Sequence, residues 1–260
     1  MKKQILILLI TLLTYGARGQ TYRYQVKGQA DQSIVTIRNL SAEVFIKGIS
    51  GNEIVIKAED YEGIPEKAKG LSPLSATGPD NTRLGLNLSE EGSTIVISGV
   101  HRGADKAAYT LSLPSSVILN LDYQSYQADN IYVEGMKNEV EIKSMVSQVE
   151  LVDVTGPLVV HTLSADVNAT FTGINQESPS SISSVSGDID VTFPETAKGN
   201  FKLSSTSGGI YTDMDFEFRK GEESMVRTAG GMSARPTLNG GGVEFVIKSV
   251  SGDIYIRKGP

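Results

Sequence analysis

The chain has 260 residues, with 24 Lys and Arg against 30 Asp and Glu, a formal net charge of −6 and no cysteine. This length allows one large domain or two small ones, with enough apolar material for a core. An acidic chain without a basic cluster is a poor partner for nucleic acid, because that binding depends on neutralising phosphates. The lack of cysteine excludes disulfides and lipidation at a thiol.

The first nineteen residues, MKKQILILLITLLTYGARG, have the pattern of a secretory signal peptide. Two lysines precede an apolar run from Ile5 to Leu13, and small residues follow it. The run is too short to cross a bilayer, which takes about 20 residues. We predict cleavage after Gly19 and an exported chain with 21 basic and 30 acidic residues, a formal net charge of −9. It would reside in the periplasm, on the outer surface or outside the cell, without a transmembrane segment.

A β-rich region is predicted for residues 20–116. Stretches such as SIVTIRN, AEVFIKG and NEIVIKA alternate apolar and polar residues and end at Gly, Asn or Ala. The segment IRNLSAEVFI fits the frame of the later repeats, so we expect an early coil that contains Val44 and Ile46. Residues 64–88, IPEKAKGLSPLSATGPDNTRLGLNL, are interpreted as a long insertion between early strands.

Residues 117–260 are predicted to form structural repeats. The nine residues SSVSGDIDV, which begin at Ser183, return as KSVSGDIYI from Lys248. Apolar residues equivalent to the first isoleucine of this motif, called anchors here, recur every 18 to 22 residues: Ile131, Val149, Val167, Ile189, Ile210, Met232 and Ile254. Units of this length cannot bury their own apolar face, so they stack. The sequence therefore predicts an all-β protein, a single-stranded β-solenoid (β-helix) of about seven consecutive coils of 18–22 residues.

Each predicted corner between two strands is rich in serine and glycine. Glycine permits positive φ or a close backbone approach, and Ser or Asp side chains satisfy backbone groups at a bend. We expect structural corners at Gly187, Gly208, Gly230 and Gly252. Four serines that share one position of the repeat are interpreted as corner residues rather than nucleophiles: Ser144, Ser184, Ser205 and Ser249.

With its SVSGDI repeats, the stretch YTLSLPSSVILNL before them and the N-terminal SIVTIRNLSAEVFIKGISGNEIVIKA, the chain resembles the bacterial putative-adhesin family, secreted domains of unknown function. The resemblance covers residues 33–260. It implies a β-solenoid fold, and it supplies no catalytic residue that maps onto this sequence.

The sequence lacks the common motifs of catalytic and metal-binding sites. The two histidines, His101 and His161, belong to no HExxH pattern, and no G-x-S-x-G occurs. The glycine runs lack the Lys and the helix of a phosphate loop. We therefore predict a protein that is not an enzyme and has no cofactor other than calcium.

One candidate site follows from the alternation of side chains along the repeat strands. Residues on either side of each anchor point outward and should stack on one face. Aromatic rings beside carboxylates suit a polysaccharide, and carboxylate oxygens suit Ca²⁺. The candidates are Tyr132, Tyr211 and Tyr255 for a ligand, and Glu150, Asp166, Asp188 and Asp190 for calcium. The competing interpretation is the solvated face of an acidic protein.

Two functional classes remain open from the sequence. The first is a secreted, non-enzymatic solenoid that binds a glycan or protein of a cell surface or matrix, or that serves as a structural element of the cell envelope. The second is a lyase or hydrolase of the β-helix type that acts on polysaccharides. A fold alone does not separate them. We favour the first, because the carboxylates recur as repeat positions and lack a neighbouring Lys or Arg.

Overall fold

The computed structural model of the protein describes residues 20–71, 73–218, 226–228 and 231–260. The predicted signal peptide and the predicted corner at Gly230 lie outside the described residues. Within those ranges the chain is all-β, and its only helices are three short 3-10 turns at Ala30–Gln32, Glu66–Ala68 and Ala104–Lys106.

The strands of the described residues follow one another with short connections, apart from the long segments before the fifth and before the eighteenth. Their bounds are β1 Gln20–Gln25, β2 Ile34–Arg38, β3 Glu43–Ile49, β4 Glu53–Glu59, β5 Leu86–Glu91, β6 Thr94–Gly99, β7 Ala108–Pro114, β8 Ile118–Tyr123, β9 Ile131–Glu134, β10 Val140–Ser144, β11 Val149–Val154, β12 Leu158–Thr162, β13 Val167–Phe171, β14 Ser180–Ser184, β15 Ile189–Pro194, β16 Gly199–Ser205, β17 Ile210–Thr212, β18 Val226–Thr228, β19 Gly231–Ala234, β20 Thr237–Leu238, β21 Glu244–Ser249 and β22 Ile254–Gly259.

These strands form two sheets around a shared apolar core. The first sheet has the order β1-β4-β7-β3-β9-β11-β13-β15-β22-β17. The second has the order β18-β19-β16-β21-β14-β12-β10-β8-β2-β6-β5, with β20 also paired to β16. Inward side chains of both sheets are buried in one cluster. At one end of this core Phe193 of the first sheet contacts Phe245 of the second at 5.1 Å between ring centroids.

The central part of the molecule is a stack of coils, each made of one strand of the second sheet and the following strand of the first. Within the described chain there are eight, in the spatial order β6/β7, β2/β3, β8/β9, β10/β11, β12/β13, β14/β15, β21/β22 and β16/β17. All pairings between neighbouring coils are parallel. Residues 116 and 117, the predicted boundary, lie in the connection between β7 and β8. Strands from both sides of this boundary belong to the same two sheets, so the N-terminal β-rich region and the repeats share them.

The order of the coils corrects the prediction of seven consecutive repeats. Ile189 pairs with Ile254, and Ile254 pairs on its other side with Ile210. The last coil in the chain, β21/β22, therefore lies between two earlier ones. At the opposite end, β2/β3 likewise lies between β6/β7 and β8/β9, which follow it in the chain. The repeat pattern identifies a coil but does not encode which coil it contacts.

Met232 is not an anchor of a coil, contrary to the sequence prediction. It lies in β19, which pairs antiparallel with β16 in the second sheet, where Met232 faces Ser205. Thr237 of β20 also faces β16, at Asn200. The spacing of Met232 matches the repeats, but its strand ends at Ala234, shortly before Pro236, which lacks the N–H that a continuing ladder needs. Residues 117–260 thus contribute six coils among the described residues.

Candidate functional site

The outward side chains that follow the anchors stack into one column on the first sheet, hereafter the strip. Each is paired in register with the next across parallel strands. Their flanking anchors are buried, whereas the strip side chains are partly or fully exposed. The strip consists, in spatial order, of Phe45, Tyr132, Glu150, Asn168, Asp190, Tyr255 and Tyr211.

Two tyrosines stack at the end of the strip formed by β22 and β17. The rings of Tyr211 and Tyr255 are 5.4 Å apart between centroids and 17° from parallel. The Tyr255 hydroxyl donates a hydrogen bond to Asp253 at 3.1 Å, which raises the pKa of the Tyr255 phenol. The guanidinium of Arg257 lies 5.5 Å from the Tyr255 ring centroid. Tyr255 is thereby held in place, while Tyr211 is 55% exposed.

Gly209 provides the space into which the Tyr211 ring folds. A Cβ on Gly209 would lie 2.6 Å from two ring atoms of Tyr211. In the adjacent coil the equivalent position is Asp253, whose carboxylate accepts the bond from Tyr255. The two tyrosines therefore lean in the same direction, one over a glycine and one onto a carboxylate. Gly209 positions the aromatic pair, a role that the repeat pattern alone does not reveal.

A second aromatic pair stands at the opposite end of the strip. The rings of Phe45 and Tyr132 are 4.7 Å apart between centroids and 7° from parallel. They border a shallow cavity of about 200 Å³ that Glu134, Glu150 and Val152 also line. The sequence interpretation began the strip at Tyr132 and missed Phe45. The signal was present, since Phe45 directly follows Val44, the apolar residue that aligned the early coil.

The carboxylates before the anchors form hydrogen bonds along the stack. Asp166 accepts a bond from the backbone N–H of Asp188 at 2.8 Å, and Asp188 accepts one from Asp253 at 2.8 Å. Asp253 in turn accepts one from Gly209 at 2.7 Å. Each carboxylate thus satisfies a backbone donor of the next coil, an arrangement typical of Asp at bends.

The predicted calcium ligands occupy two columns rather than one cluster. Contrary to the sequence interpretation, one of these carboxylates has a neighbouring cation. Asp190 binds Arg257 through both oxygens at 2.7 to 2.9 Å, and this ion pair raises the pKa of the Arg257 guanidinium. Asn168 separates Glu150 from Asp190. Among the described residues no three His, Asp or Glu side chains form a group that could hold a metal ion. Calcium binding remains a prediction, and it requires Asp190 to exchange its partner.

The corner glycines lie where two backbones nearly touch. A Cβ on Gly187 would overlap the carbonyl oxygen of Ala165, one on Gly252 that of Gly187, and one on Gly208 that of Gly252. None of the three has a positive φ. Buried hydroxyls link the same corners, because Ser184 donates to Ala165, Ser249 to Gly187 and Ser205 to Gly252.

A further cavity lies away from the strip, beside the segment that connects β4 to β5. The last three residues of the predicted insertion 64–88 belong to β5. The volume of the cavity is about 1160 Å³, and its lining includes Ile64, Leu71 and His101. His101 accepts a bond at Nδ1 from the Gly103 N–H at 2.9 Å, so its Nε2–H donates to the Tyr61 hydroxyl at 3.0 Å. Burial, with the charge of Asp80, raises the pKa of Tyr61 to about 12. Both nitrogens of His101 are thus engaged in holding the loop.

Several comparisons place the chain among known proteins. Residues 123–257, just over half of the chain, match the family model described as Toastrack DUF4097. No curated protein matches the sequence. The crystal structure of a putative cell adhesion protein from Clostridium sporogenes ATCC 15579 aligns over 93% of this chain and 100% of its own, at 9% identity and a TM-score of 0.48. That of a putative adhesin from Bacteroides fragilis NCTC 9343 aligns over 93% and 98%, at 12% identity and a TM-score of 0.30.

No helix among the described residues has the length and apolarity needed to span a membrane.

Proposed function

The chain belongs to the Toastrack family, and on that premise we propose that it is an exported, non-enzymatic β-solenoid that binds a glycan of a cell surface or matrix through the strip. The signal-peptide pattern of residues 1–19 supports export. The observation that carries the binding proposal is the stacked pair Tyr211 and Tyr255 on the outer face of the first sheet.

Tyrosine pairs of this kind suit sugars for two physical reasons. The C–H face of a pyranose packs on an aromatic face, while carboxylate and amide groups beside it bind the hydroxyls. Tyr255 is fixed by Asp253 and Arg257, and Tyr211 is fixed against Tyr255, so little side-chain freedom is lost on binding. Among the described strands β17 is at the edge of the first sheet, and Tyr211 is 55% exposed.

A glycan array tests the proposal with the purified chain and three variants. We expect Tyr211→Ala and Tyr255→Ala each to lower the affinity for the bound glycan about tenfold or more, which corresponds to 1.4 kcal/mol. Tyr126→Ala is the matched control, because Tyr126 is 76% exposed but lies outside the strip. It should bind as the unmodified chain does.

Two outcomes would overturn the proposal. One is binding that both strip variants retain in full. The other is depolymerisation of a polysaccharide by the chain, which would instead support the alternative of a β-helix lyase or hydrolase. Gly209→Val adds a further check, since it displaces the Tyr211 ring without removing it and should weaken binding as well.

A further inference from the structure

The strip carries an aromatic pair at each end, and the proposed function uses only one of them. Phe45 and Tyr132 stack more nearly parallel than Tyr211 and Tyr255, at 7° against 17°. They border a cavity of about 200 Å³, whereas the opposite pair stands at a sheet edge. The second pair is thus a separate place where a sugar ring can pack.

The register fixes the distance between the two pairs. From Tyr132 the column passes through Glu150, Asn168 and Asp190 to Tyr255, each paired with the next. Four steps of about 4.8 Å between strands give a separation of about 19 Å. A molecule that touches both pairs must cross the strands and lie along the axis of the solenoid. The carboxylate and amide groups between the pairs would then face its hydroxyls.

The charge of this face limits the class of ligand. On the strands that carry the strip, the cations beside it are already paired, Lys47 with Glu134 at 3.6 Å and Arg257 with Asp190 at 2.7 Å. Carboxylates outnumber them on the strip and on the positions beside it: Glu134, Glu150, Asp166, Asp188, Asp190 and Asp253. An acidic polysaccharide would be repelled by this field, whereas a neutral or amine-bearing one would not.

We propose that the ligand is a linear, neutral or amine-bearing glycan chain that lies along the solenoid axis and packs on both aromatic pairs at once. This inference rests on the proposed function of the strip. It adds the direction of the bound chain, its minimum length and its charge.

Calorimetric titration with three series of oligosaccharides, from disaccharide to hexasaccharide, tests the inference on the full purified chain. The series are chitin oligomers, which are neutral, chitosan oligomers, which carry amines on the same backbone, and oligogalacturonates, which are anionic. Affinity in the first two series should rise steeply, by about tenfold or more, once an oligomer is long enough to span about 19 Å. Oligogalacturonates of equal length should bind at least tenfold more weakly.

Single-residue variants distinguish the contributions of the two aromatic pairs to binding. Tyr132→Ala and Phe45→Ala should each abolish the gain of affinity with oligomer length, because only one aromatic pair then remains for the chain to pack on. Glu150→Gln should weaken chitosan oligomers more than chitin oligomers of equal length. Thermal unfolding of each variant shows that the fold is kept, and Tyr132→Ala serves if Phe45→Ala does not fold. Tyr126→Ala remains the control.

The outcomes distinguish this inference from the function on which it rests. Suppose Tyr211→Ala weakens binding, but Phe45→Ala and Tyr132→Ala leave the gain of affinity with oligomer length intact. The proposed axial direction of the bound glycan is then wrong, whereas the proposed glycan site at Tyr211 and Tyr255 is supported. Preference for oligogalacturonates likewise overturns the inference alone. If neither these probes nor any glycan on the array binds, both proposals fall.

Discussion

Space, rather than backbone angle, explains the glycine at position 187. The sequence indicated a corner that needs either positive φ or a close approach, and the structure has the second without the first. The carbonyl oxygen of Ala165 occupies the place that a Cβ on residue 187 would need. The carbonyl oxygen of Gly187 likewise occupies the place of a Cβ on residue 252. The corner glycines therefore set how closely neighbouring coils approach.

Replacing Gly187 by Val should lower the free energy of unfolding by about 1–3 kcal/mol, because the backbone must move to admit the side chain. Chemical denaturation of the purified variant measures this loss. Gly173→Ala is the control, since Gly173 has neither a positive φ nor an atom within 4 Å of the added Cβ. An equal loss in both variants would show that crowding at the corner is not the cause.

Two half-buried tyrosines make the free energy of unfolding depend on pH in the alkaline range. Burial raises the pKa of Tyr61 to about 12 and that of Tyr24 to about 12, from an ordinary value of 10.0. The folded state favours the neutral phenols, so their contribution is fully present below pH 10 and is lost as the pH rises towards 12. We expect the unfolding free energy to fall over that window, and less steeply in Tyr61→Phe. A Tyr61→Phe profile identical to that of the unmodified chain would contradict this.

Much of each coil could be predicted from the sequence, but not the order of the coils. Alternation of apolar residues identified the strands around Ile131, Val149, Val167 and Ile189, which stack as neighbours. The neighbour of a coil is decided by contacts between distant segments, on which a repeat motif is silent. The order of residues along the strip could not be predicted for the same reason. Tyr211 lies at its end because β22, which contains Ile254, pairs with β17.

The predicted calcium site would draw its carboxylates from neighbouring coils. If Asp188 and Asp190 share a cation with Glu150 and Asp166, bound Ca²⁺ should stabilise the folded chain. At a free Ca²⁺ concentration a hundredfold above the dissociation constant, the free energy of unfolding should rise by about 2.7 kcal/mol, and the melting temperature should rise with it. The double variant Asp188→Asn with Asp190→Asn should remove the effect. Competition from Arg257 for Asp190 would oppose binding. Calorimetry without detectable calcium binding would exclude the site.

The inserted position of β21/β22 can be tested by disulfide trapping in this cysteine-free chain. Asp190 is paired with Tyr255, and Tyr211 stands one strand farther away. Cα atoms about 4.8 Å apart allow a disulfide, whereas twice that distance does not. Under oxidation, Asp190→Cys with Tyr255→Cys should cross-link, and Asp190→Cys with Tyr211→Cys should not. Mass spectrometry of the oxidised variants gives the answer, and the opposite pattern would restore the chain-order stack.

The position of β21/β22 between two earlier coils also determines the order in which the stack can fold. In a solenoid whose coils follow chain order, each coil docks on the one before it as the polypeptide is delivered. Here β16 and β17 are delivered before β21 and β22, yet the partner on which they pair is the later segment. The end of the stack must therefore wait for a non-local contact, which makes its completion slow compared with growth of the central coils. Once formed, β21 and β22 are held by parallel ladders on both sides, so this final segment is protected from fraying at the edge of the sheet.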